Sequence, residues 1–308
     1  MSNNENIQKT PNKFSALVKK ILKNDGIQSL ICSLLCIVVG LLIGFIVLLC
    51  INPAGAGEGI STLIKNFFVF SSTNLRLKYL GLTLAGTAPL IMTGLAILFA
   101  YKAGLFNIGA AGQYTVGACA CIYGALVWQL PWYLCMLLAI LAGALWGAIV
   151  GVLKAYLNVN EVISAIMLNW IGLYLTNIII TGNSSAWDTV KHETWSFSTS
   201  ATKALLPQLG LQNIFGGSEY ITIAIFIAII MSIAVFVVLN FTTFGYELKA
   251  TGFNKNAAKY SGMKEKRNII LTMAISGGLA GLGASLYYQA NLQPWYANST
   301  VPIWVSME

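Results

Sequence analysis

The sequence predicts an all-α protein, a polytopic bundle of helices that crosses a membrane. Two observations predict this fold class. Only 9% of the 308 residues are charged and 57% are hydrophobic, whereas soluble domains carry roughly a quarter charged residues. Apolar runs of the length that a bilayer requires recur along the chain, and lipid leaves a helix as the simplest way to pair their backbone groups.

Hydropathy predicts seven spans, at residues 28–50, 79–100, 109–128, 132–153, 162–181, 220–242 and 268–290. The first run is too long for the apolar core of a signal peptide, so we interpret it as a retained span. The chain is thereby divided into a basic tail, residues 1–27, and a transmembrane domain, residues 28–308. The longest predicted connections inside that domain are 182–219 and 243–267.

The basic residues predict the orientation of these spans. With the N-terminus inside, 13 of the 18 Lys and Arg residues fall on the inner side, in segments 1–27, 101–108, 154–161 and 243–267. Cytoplasmic connections are typically enriched in Lys and Arg. We therefore expect a cytoplasmic N-terminus, a cytoplasmic segment 243–267 and an outer segment 182–219. The net charge of +8 then reports topology, and we do not interpret it as a nucleic-acid surface.

Glycines spaced four residues apart predict close helix packing. Gly143, Gly147 and Gly151 form one such series, and Gly277 with Gly281 forms another. Residues four apart share one helix face, and glycine there lets the backbone of a second helix approach.

No enzymatic motif stands out in the sequence. It contains no GxxxxGK[ST], HExxH or GxSxG pattern, and its six cysteines and single histidine do not have the spacing of a metal site. We expect no catalytic residue, no metal and no cofactor in this chain.

The stretch "YKAGLFNIGAAGQ", residues 101–113, interrupts two apolar runs. Gly104, Gly109 and Gly112 predict a break in the helix, and broken helices in transporters place free backbone groups beside the substrate path. Asn107 and Gln113 can each donate and accept hydrogen bonds to a neutral polar solute. The alternative is an ordinary tight turn between two spans.

Three further residues are candidates for the same path. Phe106 could stack on a base or pack on a sugar ring. Glu161 and Asn169 share a polar face of the fifth predicted span, which would either line the path or hydrogen-bond to another helix. Glu161 could instead only cap the start of that helix.

The inner segment "TFGYELKATGFNKNAAKYSGMKEKRN", residues 243–268, predicts two short helices, the first ended by Gly262. Composition alone allows a basic loop or a docking helix. The segment and the following "IILTMAISGGLAGLGA" resemble the coupling region of ABC-transporter permeases that serve branched-chain amino acids, simple sugars and nucleosides. The nucleoside and simple-sugar permeases are the most similar branch. Matching positions in the coupling segment are Glu247, Lys249, Gly252, Asn254, Ala257, Ala258 and Gly262.

Two other stretches support the resemblance. "AGLFNIGAAGQ" is similar to the family's "AGLFNIGAEGQ", with Ala111 where an acidic residue is common. "NEVISAIMLNW", residues 160–170, is similar to the start of a later span in the family. The three motifs occur in the family's order between Ala103 and Gly281.

The resemblance implies a type II-like importer in a prokaryotic plasma membrane. In it, a cytoplasmic ATPase that binds ATP and magnesium docks on the coupling segment. A second permease subunit, expected to make a heterodimer, completes the pore, and an extracellular lipoprotein delivers the substrate. Nucleosides are the favoured substrate, with simple sugars or another small polar solute as alternatives. Family members continue through further spans, so we expect this chain either to lack C-terminal spans or to be a divergent short member of the family.

A different class of function remains open from the residues alone. An ATP-independent secondary transporter or channel would also be polytopic, but it predicts inverted repeats or buried coupling charges, and the sequence shows neither clearly. In the outer segment, Trp187 and Trp195 are expected to anchor at the membrane interface, and the segment could receive a binding protein.

Overall fold

The structure, a computed structural model, describes residues 25–68 and 72–296. The chain divides into two compact units, Met1–Ser71 and Ser72–Glu308. In the first unit, α1 (Asp25–Ile51) is followed by α2 (Ala56–Phe68). The basic tail is predicted at residues 1–27. Its residues 1–24 lie outside the described residues, and α1 begins at Asp25.

The second unit contains the remaining helices and one short hairpin. Its helices are α3 (Thr73–Lys102), α4 (Ala110–Leu126), α5 (Trp132–Leu157), α6 (Glu161–Thr181), α7 (Phe197–Ser200), α8 (Leu211–Ile214), α9 (Ala224–Phe241), α10 (Thr243–Phe253), α11 (Lys255–Tyr260) and α12 (Glu265–Gln289). Thr202–Ala204 forms a 3-10 turn, and β1 (Trp187–Asp188) pairs antiparallel with β2 (Glu193–Thr194).

Each of the seven predicted spans is helical, which confirms the all-α membrane bundle. Among the described residues, six helices are long and apolar enough to cross a membrane, namely α1, α3, α5, α6, α9 and α12. The predicted span 109–128 is α4, which has 17 residues and is almost entirely buried. Hydropathy missed α2 because half of its 13 residues are polar or glycine. Its Glu58 and Lys65 lie at the helix ends that favour their charges.

Helix α12 is the centre of the second unit. Every residue from Ser276 to Gln289 is buried, although this stretch includes serines, tyrosines and four glycines. A helix that is buried on all sides must be surrounded by other helices. Helices α3, α4 and α5 pack around α12, so α12 holds the bundle together.

The predicted glycine series face each other across α5 and α12. A Cβ atom added to Gly143 would collide with the carbonyl oxygen of Gly277, and one on Gly281 would collide with that of Ala139. A Cβ atom on Gly151 would lie 2.8 Å from the Cα atom of Ile270. The two backbones are therefore in direct contact over about two turns, which confirms the predicted role of the spacing.

The predicted outer segment, residues 182–219, folds onto the bundle. The Nε1 atom of the buried Trp295 donates to Asn177 Oδ1 at 2.9 Å, and the Trp295 backbone pairs with Thr194 of β2. Trp187 is buried inside the protein, so the expectation that it anchors at a membrane interface is wrong. Trp195 is 40% exposed and donates to the carbonyl of Ser184.

A methyl group at the α5–α12 contact should destabilise the protein. Gly277→Ala places a Cβ atom against the backbone of Gly143, and overpacking of this kind costs about 1–3 kcal/mol. The matched control is Gly94→Ala in α3, where a Cβ atom meets nothing within 4 Å. The free energy of unfolding, measured by denaturant titration in detergent micelles, should fall for Gly277→Ala only. Equal values for the two variants would contradict the glycine contact.

Candidate functional site

The chain leaves helical geometry between α3 and α4, from Ala103 to Gly109. We call residues 103–109 the signature loop. Gly104 adopts a φ of 71°, and its N–H donates to the carbonyl of Tyr101 while the N–H of Leu105 donates to that of Ala100. These bonds end α3 in the manner that favours glycine, because a side chain at a positive φ is strained. The predicted helix break is present and begins at Gly104.

Two buried amides organise the inside of this loop. Asn107 Nδ2 donates to Gln113 Oε1 at 2.8 Å, and Gln113 Nε2 donates back to Asn107 Oδ1 at 3.1 Å. Asn107 Nδ2 also donates to Ser276 Oγ at 2.7 Å, and that hydroxyl donates to the carbonyl of Ala96 at 2.6 Å. All three side chains are at most 1% exposed. The network therefore joins the loop to α4, α12 and α3.

Asn169 of α6 holds the other end of the loop. Its Nδ2 atom donates to the carbonyl of Ile108 at 3.1 Å, and its Oδ1 atom accepts from the N–H of Gly112 at 2.9 Å. Backbone groups that the helix break leaves unpaired thus find side-chain partners, as buried polar groups require.

The other two predicted break glycines have different roles. Gly109 directly precedes α4, and a Cβ atom there would lie 3.2 Å from Ala165 Cβ. Gly112 lies inside α4 rather than in the break. A Cβ atom on Gly112 would lie 2.8 Å from Asn169 Cα, so this glycine permits α4 and α6 to approach. Its helical position follows from the early start of α4 at Ala110.

The segment that we predict to be cytoplasmic, residues 243–267, contains two helices joined at a single residue. Asn254 ends α10 and caps α11, because its Oδ1 atom accepts from the N–H groups of Asn256 and Ala257. Gly262, with a φ of 82°, follows α11. The expectation that Gly262 ends the first short helix is therefore wrong, since Asn254 is the residue that separates the two.

Two of the predicted coupling residues bind to the bundle. Glu247 accepts from Arg267 Nη2 at 3.4 Å and from Asn268 Nδ2 at 3.3 Å, both at the start of α12. Lys249 Nζ donates to Asn240 Oδ1 at the end of α9, at 2.9 Å. These contacts fix α10 to the two helices on either side of the cytoplasmic segment.

Ala257 and Ala258 face opposite surroundings. Ala257 is exposed, while Ala258 is only 3% exposed and packs against its own chain. A partner could therefore contact Ala257 directly, but the Ala258 methyl group is covered by its own chain. Phe253 and Tyr260, which the sequence analysis did not single out, are 92% and 94% exposed. The presence of aromatic residues in a segment predicted to lie outside the membrane could have identified them from the sequence.

The signature loop and α10 touch through their glycines. A Cβ atom added to Gly104 would lie 2.7 Å from the Cα atom of Gly252, and one on Gly252 would lie 2.6 Å from the carbonyl carbon of Ala103. No side chain separates the two backbones. Two motifs that are about 150 residues apart in the sequence are thus adjacent in the fold.

An ion pair lies beside this contact. Lys154 Nζ and Glu161 Oε2 are 2.7 Å apart and connect the end of α5 to the start of α6. With Gly104, Gly252 and Thr251 they line a cavity of about 190 Å³. Glu161 therefore has a specific partner, beyond any favourable interaction with the helix start.

The candidate path residues do not form one surface. Phe106 is 48% exposed, and Asn169 is partly exposed, whereas Asn107 and Gln113 are buried and bound to each other. Direct contact of any of them with a substrate stays a prediction. Sequence analysis missed Ser276, which belongs to the Asn107 network, and Asn268, which binds Glu247, although each is a polar residue in or beside an apolar span. In residues 25–68 and 72–296, no cluster of three His, Cys, Asp or Glu side chains could hold a metal ion.

Comparison with known proteins places the chain in a family. Residues 79–306 match the family described as the permease component of the branched-chain amino acid transport system. The match covers most of the chain, from the start of the second predicted span. The chain belongs to this family and is a membrane-embedded permease component, which is a transport component and not an enzyme.

Characterised relatives agree with this assignment. The chain is 34% identical over 264 residues to the guanosine ABC transporter permease protein NupP of Bacillus subtilis, covering 84% of this chain and 72% of that protein. It is 32% identical over 287 residues to the nucleoside ABC transporter permease protein NupB of Lactococcus lactis, covering 90% and 75%. A glucose ABC transporter permease protein of Haloferax volcanii, TsgB13, is 30% identical over 72% of this chain and 62% of its own length. No solved structure matches the chain.

The amide network should stabilise the signature loop. Asn107→Ala or Gln113→Ala leaves a buried amide without its partner, which costs about 1–3 kcal/mol each. The double variant should lose less than the sum of the two, because one interaction is shared. The control is Thr83→Ala, which removes an exposed hydroxyl that bonds within its own helix. Unfolding free energies in detergent provide the measurement.

The alternative outcome is equally specific. Unchanged stability in both single variants, together with a raised KM for transport, would contradict the structural role. It would favour direct contact of the two amides with the substrate.

Proposed function

We propose that this chain is one membrane-spanning subunit of an ATP-driven nucleoside importer. The observation that carries the proposal is the similarity to a guanosine permease and a nucleoside permease, at 34% and 32% identity over 84% and 90% of the chain. The glucose permease shares 30% identity over a smaller part, 72%, and keeps simple sugars as the second candidate. Similarity to ABC permeases favours this class over an ATP-independent transporter or channel.

The permease family implies an ATPase and a substrate-binding component as partners. We further propose that a second, different permease subunit completes the pore and that a lipoprotein delivers the substrate from outside. ATP and magnesium would bind the ATPase and not this chain. The inner bias of Lys and Arg supports a cytoplasmic N-terminus in a prokaryotic plasma membrane.

In this proposal, α10 and α11 receive the motion of the ATPase. Closure of an ATPase pair would displace them as a rigid element, since α10 is fixed to α9 and α12 by Lys249 and Glu247. The contact of Gly252 with Gly104 supports passage of this displacement to the signature loop. The Asn107 network would then carry it into the core of the bundle.

The exposed aromatic residues of the segment fit an ATPase groove. Phe253 is the last residue of α10 and Tyr260 is the last residue of α11, with the exposed Ala257 between them in sequence. Large apolar side chains that water surrounds in the free subunit mark interaction sites, and aromatic residues are enriched at interface anchors. The neighbouring lysines would attract an acidic surface and increase the rate of association.

Substrate identity is tested by uptake. Cells that lack their own nucleoside uptake would express this chain with its neighbouring permease, ATPase and binding-protein genes, and accumulation of radiolabelled guanosine would be measured. Excess unlabelled nucleosides should abolish uptake and excess glucose should leave it unchanged. A variant of the ATPase that cannot hydrolyse ATP is the control. Competition by glucose and not by nucleosides would overturn the nucleoside assignment.

The docking role makes a separate prediction. Phe253→Ser and Tyr260→Ser should each weaken binding of the ATPase by about 2 kcal/mol, or roughly 30-fold in Kd, because each removes an aromatic anchor. Trp128→Ser, at an exposed aromatic residue 57% accessible between α4 and α5, is the matched control. Affinity of the ATPase for the permease in lipid nanodiscs gives the readout. Equal affinity in all three variants would exclude these aromatic residues as anchors.

A further inference from the structure

An apolar groove runs between the C-terminal halves of α3 and α9, and two lysines lie at one end of it. Leu95 and Leu98 of α3 form one wall, and Val235, Phe236 and Leu239 of α9 form the other. The groove has a volume of about 500 Å³. Because Leu95 and Lys102 are seven residues apart in one helix, it extends about 10 Å along the helix axis. All its walls lie in helices that are long and apolar enough to cross a membrane.

Two lysines form the polar end of this groove. Lys102 is the last residue of α3, and Lys249 lies on α10 with its Nζ atom 2.9 Å from Asn240 Oδ1. The same two lysines line an adjoining cavity of about 460 Å³, which extends toward Tyr101 and Phe253. Two neighbouring cavities thus share one pair of cations.

These two lysines differ from two paired cations of the neighbouring elements. Lys154 and Arg267 each lie within ion-pair distance of a carboxylate. In the part of the chain that the structure describes, neither Lys102 nor Lys249 has such a partner. Asn240 is neutral and accepts only one hydrogen bond from Lys249, so positive charge at this end of the groove is not neutralised.

We propose that this groove binds an anionic phospholipid, with its phosphate between Lys102 and Lys249 and an acyl chain between α3 and α9. The apolar groove and the two amines at its end match the acyl chain and the phosphate of a phospholipid. A soluble anion would bind the amines but leave the groove unfilled. Basic pockets between transmembrane helices bind anionic headgroups on this principle. Lysine side chains near helix ends also reach readily toward the headgroup level.

A lipid bound in this groove would also link α10 to α3. Lys249 belongs to α10, and Gly252 one turn further on contacts the signature loop. A phosphate that holds Lys249 and Lys102 together would tie α10 to the end of α3, across the same junction. Placement in the inner leaflet rests on the proposed orientation, whereas lipid retention by the purified chain does not.

Native mass spectrometry of the purified chain tests the site. The chain in neutral detergent would receive equal amounts of dioleoylphosphatidylglycerol and dioleoylphosphatidylcholine, and the ratio of bound lipids would be counted. The wild-type chain should retain the anionic lipid in excess. The double variant Lys102→Gln and Lys249→Gln should lower this ratio roughly 30-fold, because each lysine near an anionic headgroup contributes on the order of a factor of six.

The matched control is Lys191→Gln with Lys203→Gln, which removes the same charge from exposed positions in the segment 182–219. Its ratio should equal that of the wild type. Leu98→Trp, at a residue 42% exposed in the groove wall, should lower retention of both lipids with the lysines intact. Thermal midpoints of all variants should stay unchanged, which separates lost binding from lost folding.

Two outcomes would overturn the proposal. One is an equal loss of the anionic lipid in the two double variants, which would indicate a general charge effect. The other is a disulfide cross-link between the Leu98→Cys variant and a second permease subunit, in a chain that retains no lipid. This result would indicate that the second subunit, and not a lipid, fills the groove. Labelling of Ser261→Cys by an impermeant maleimide in intact cells and inverted vesicles tests orientation by itself. A failed orientation or a failed nucleoside uptake is therefore distinguishable from a failed lipid site.

Discussion

The direct backbone contact between α5 and α12 is the constraint on which the rest of the second unit depends. Lipid supplies no hydrophobic force between two apolar helices, so close packing must hold them together. Glycines on both helices remove the side chains that would separate them, and α12 is thereby buried on all sides. Once α12 occupies the centre, its Ser276 is within reach of Asn107, and its first turn is within reach of Glu247. The core helix consequently positions both the signature loop and segment 243–267.

The interruption between α3 and α4 exposes backbone groups that a bilayer could not satisfy. Asn169 of α6 binds two of these groups, the carbonyl of Ile108 and the N–H of Gly112, while side chains of α4 and α12 bind the amide of Asn107 in the loop. The loop is therefore irregular in conformation but well bonded. A loop held at both ends in this way can act as a rigid part. Its contact with Gly252 then gives two of this chain's motifs one shared junction, where glycine on each side lets the two backbones touch.

Several charged groups of the second unit lie where the helices meet segment 243–267. The Lys154–Glu161 and Arg267–Glu247 pairs join successive elements, and each adds orientation more than stability because the side chains are partly exposed. Lys102 and Lys249 occupy the same level without a carboxylate, beside an apolar groove. The aromatic residues of α10 and α11 lie further out, in the position that an ATPase would cover in the proposed importer. The ion pairs, the proposed lipid site and the proposed docking surface thus involve different residues of one small region.

Sequence by itself determined the membrane helices, the glycine faces and the family, because hydropathy, four-residue spacing and contiguous motifs are local properties of the chain. It also indicated the helix break, since glycine at position 104 can adopt the positive φ that ends α3 without a steric cost. Only the tertiary structure decided what the polar residues bind. Asn107 meets Ser276 across 169 positions, and Asn169 meets Gly112 across 57. Which of Ala257 and Ala258 faces outward was likewise undecided, because α11 is short and both residues are small. Pairings of this kind depend on how helices cross, and helix crossing is set by packing between residues that the sequence keeps far apart.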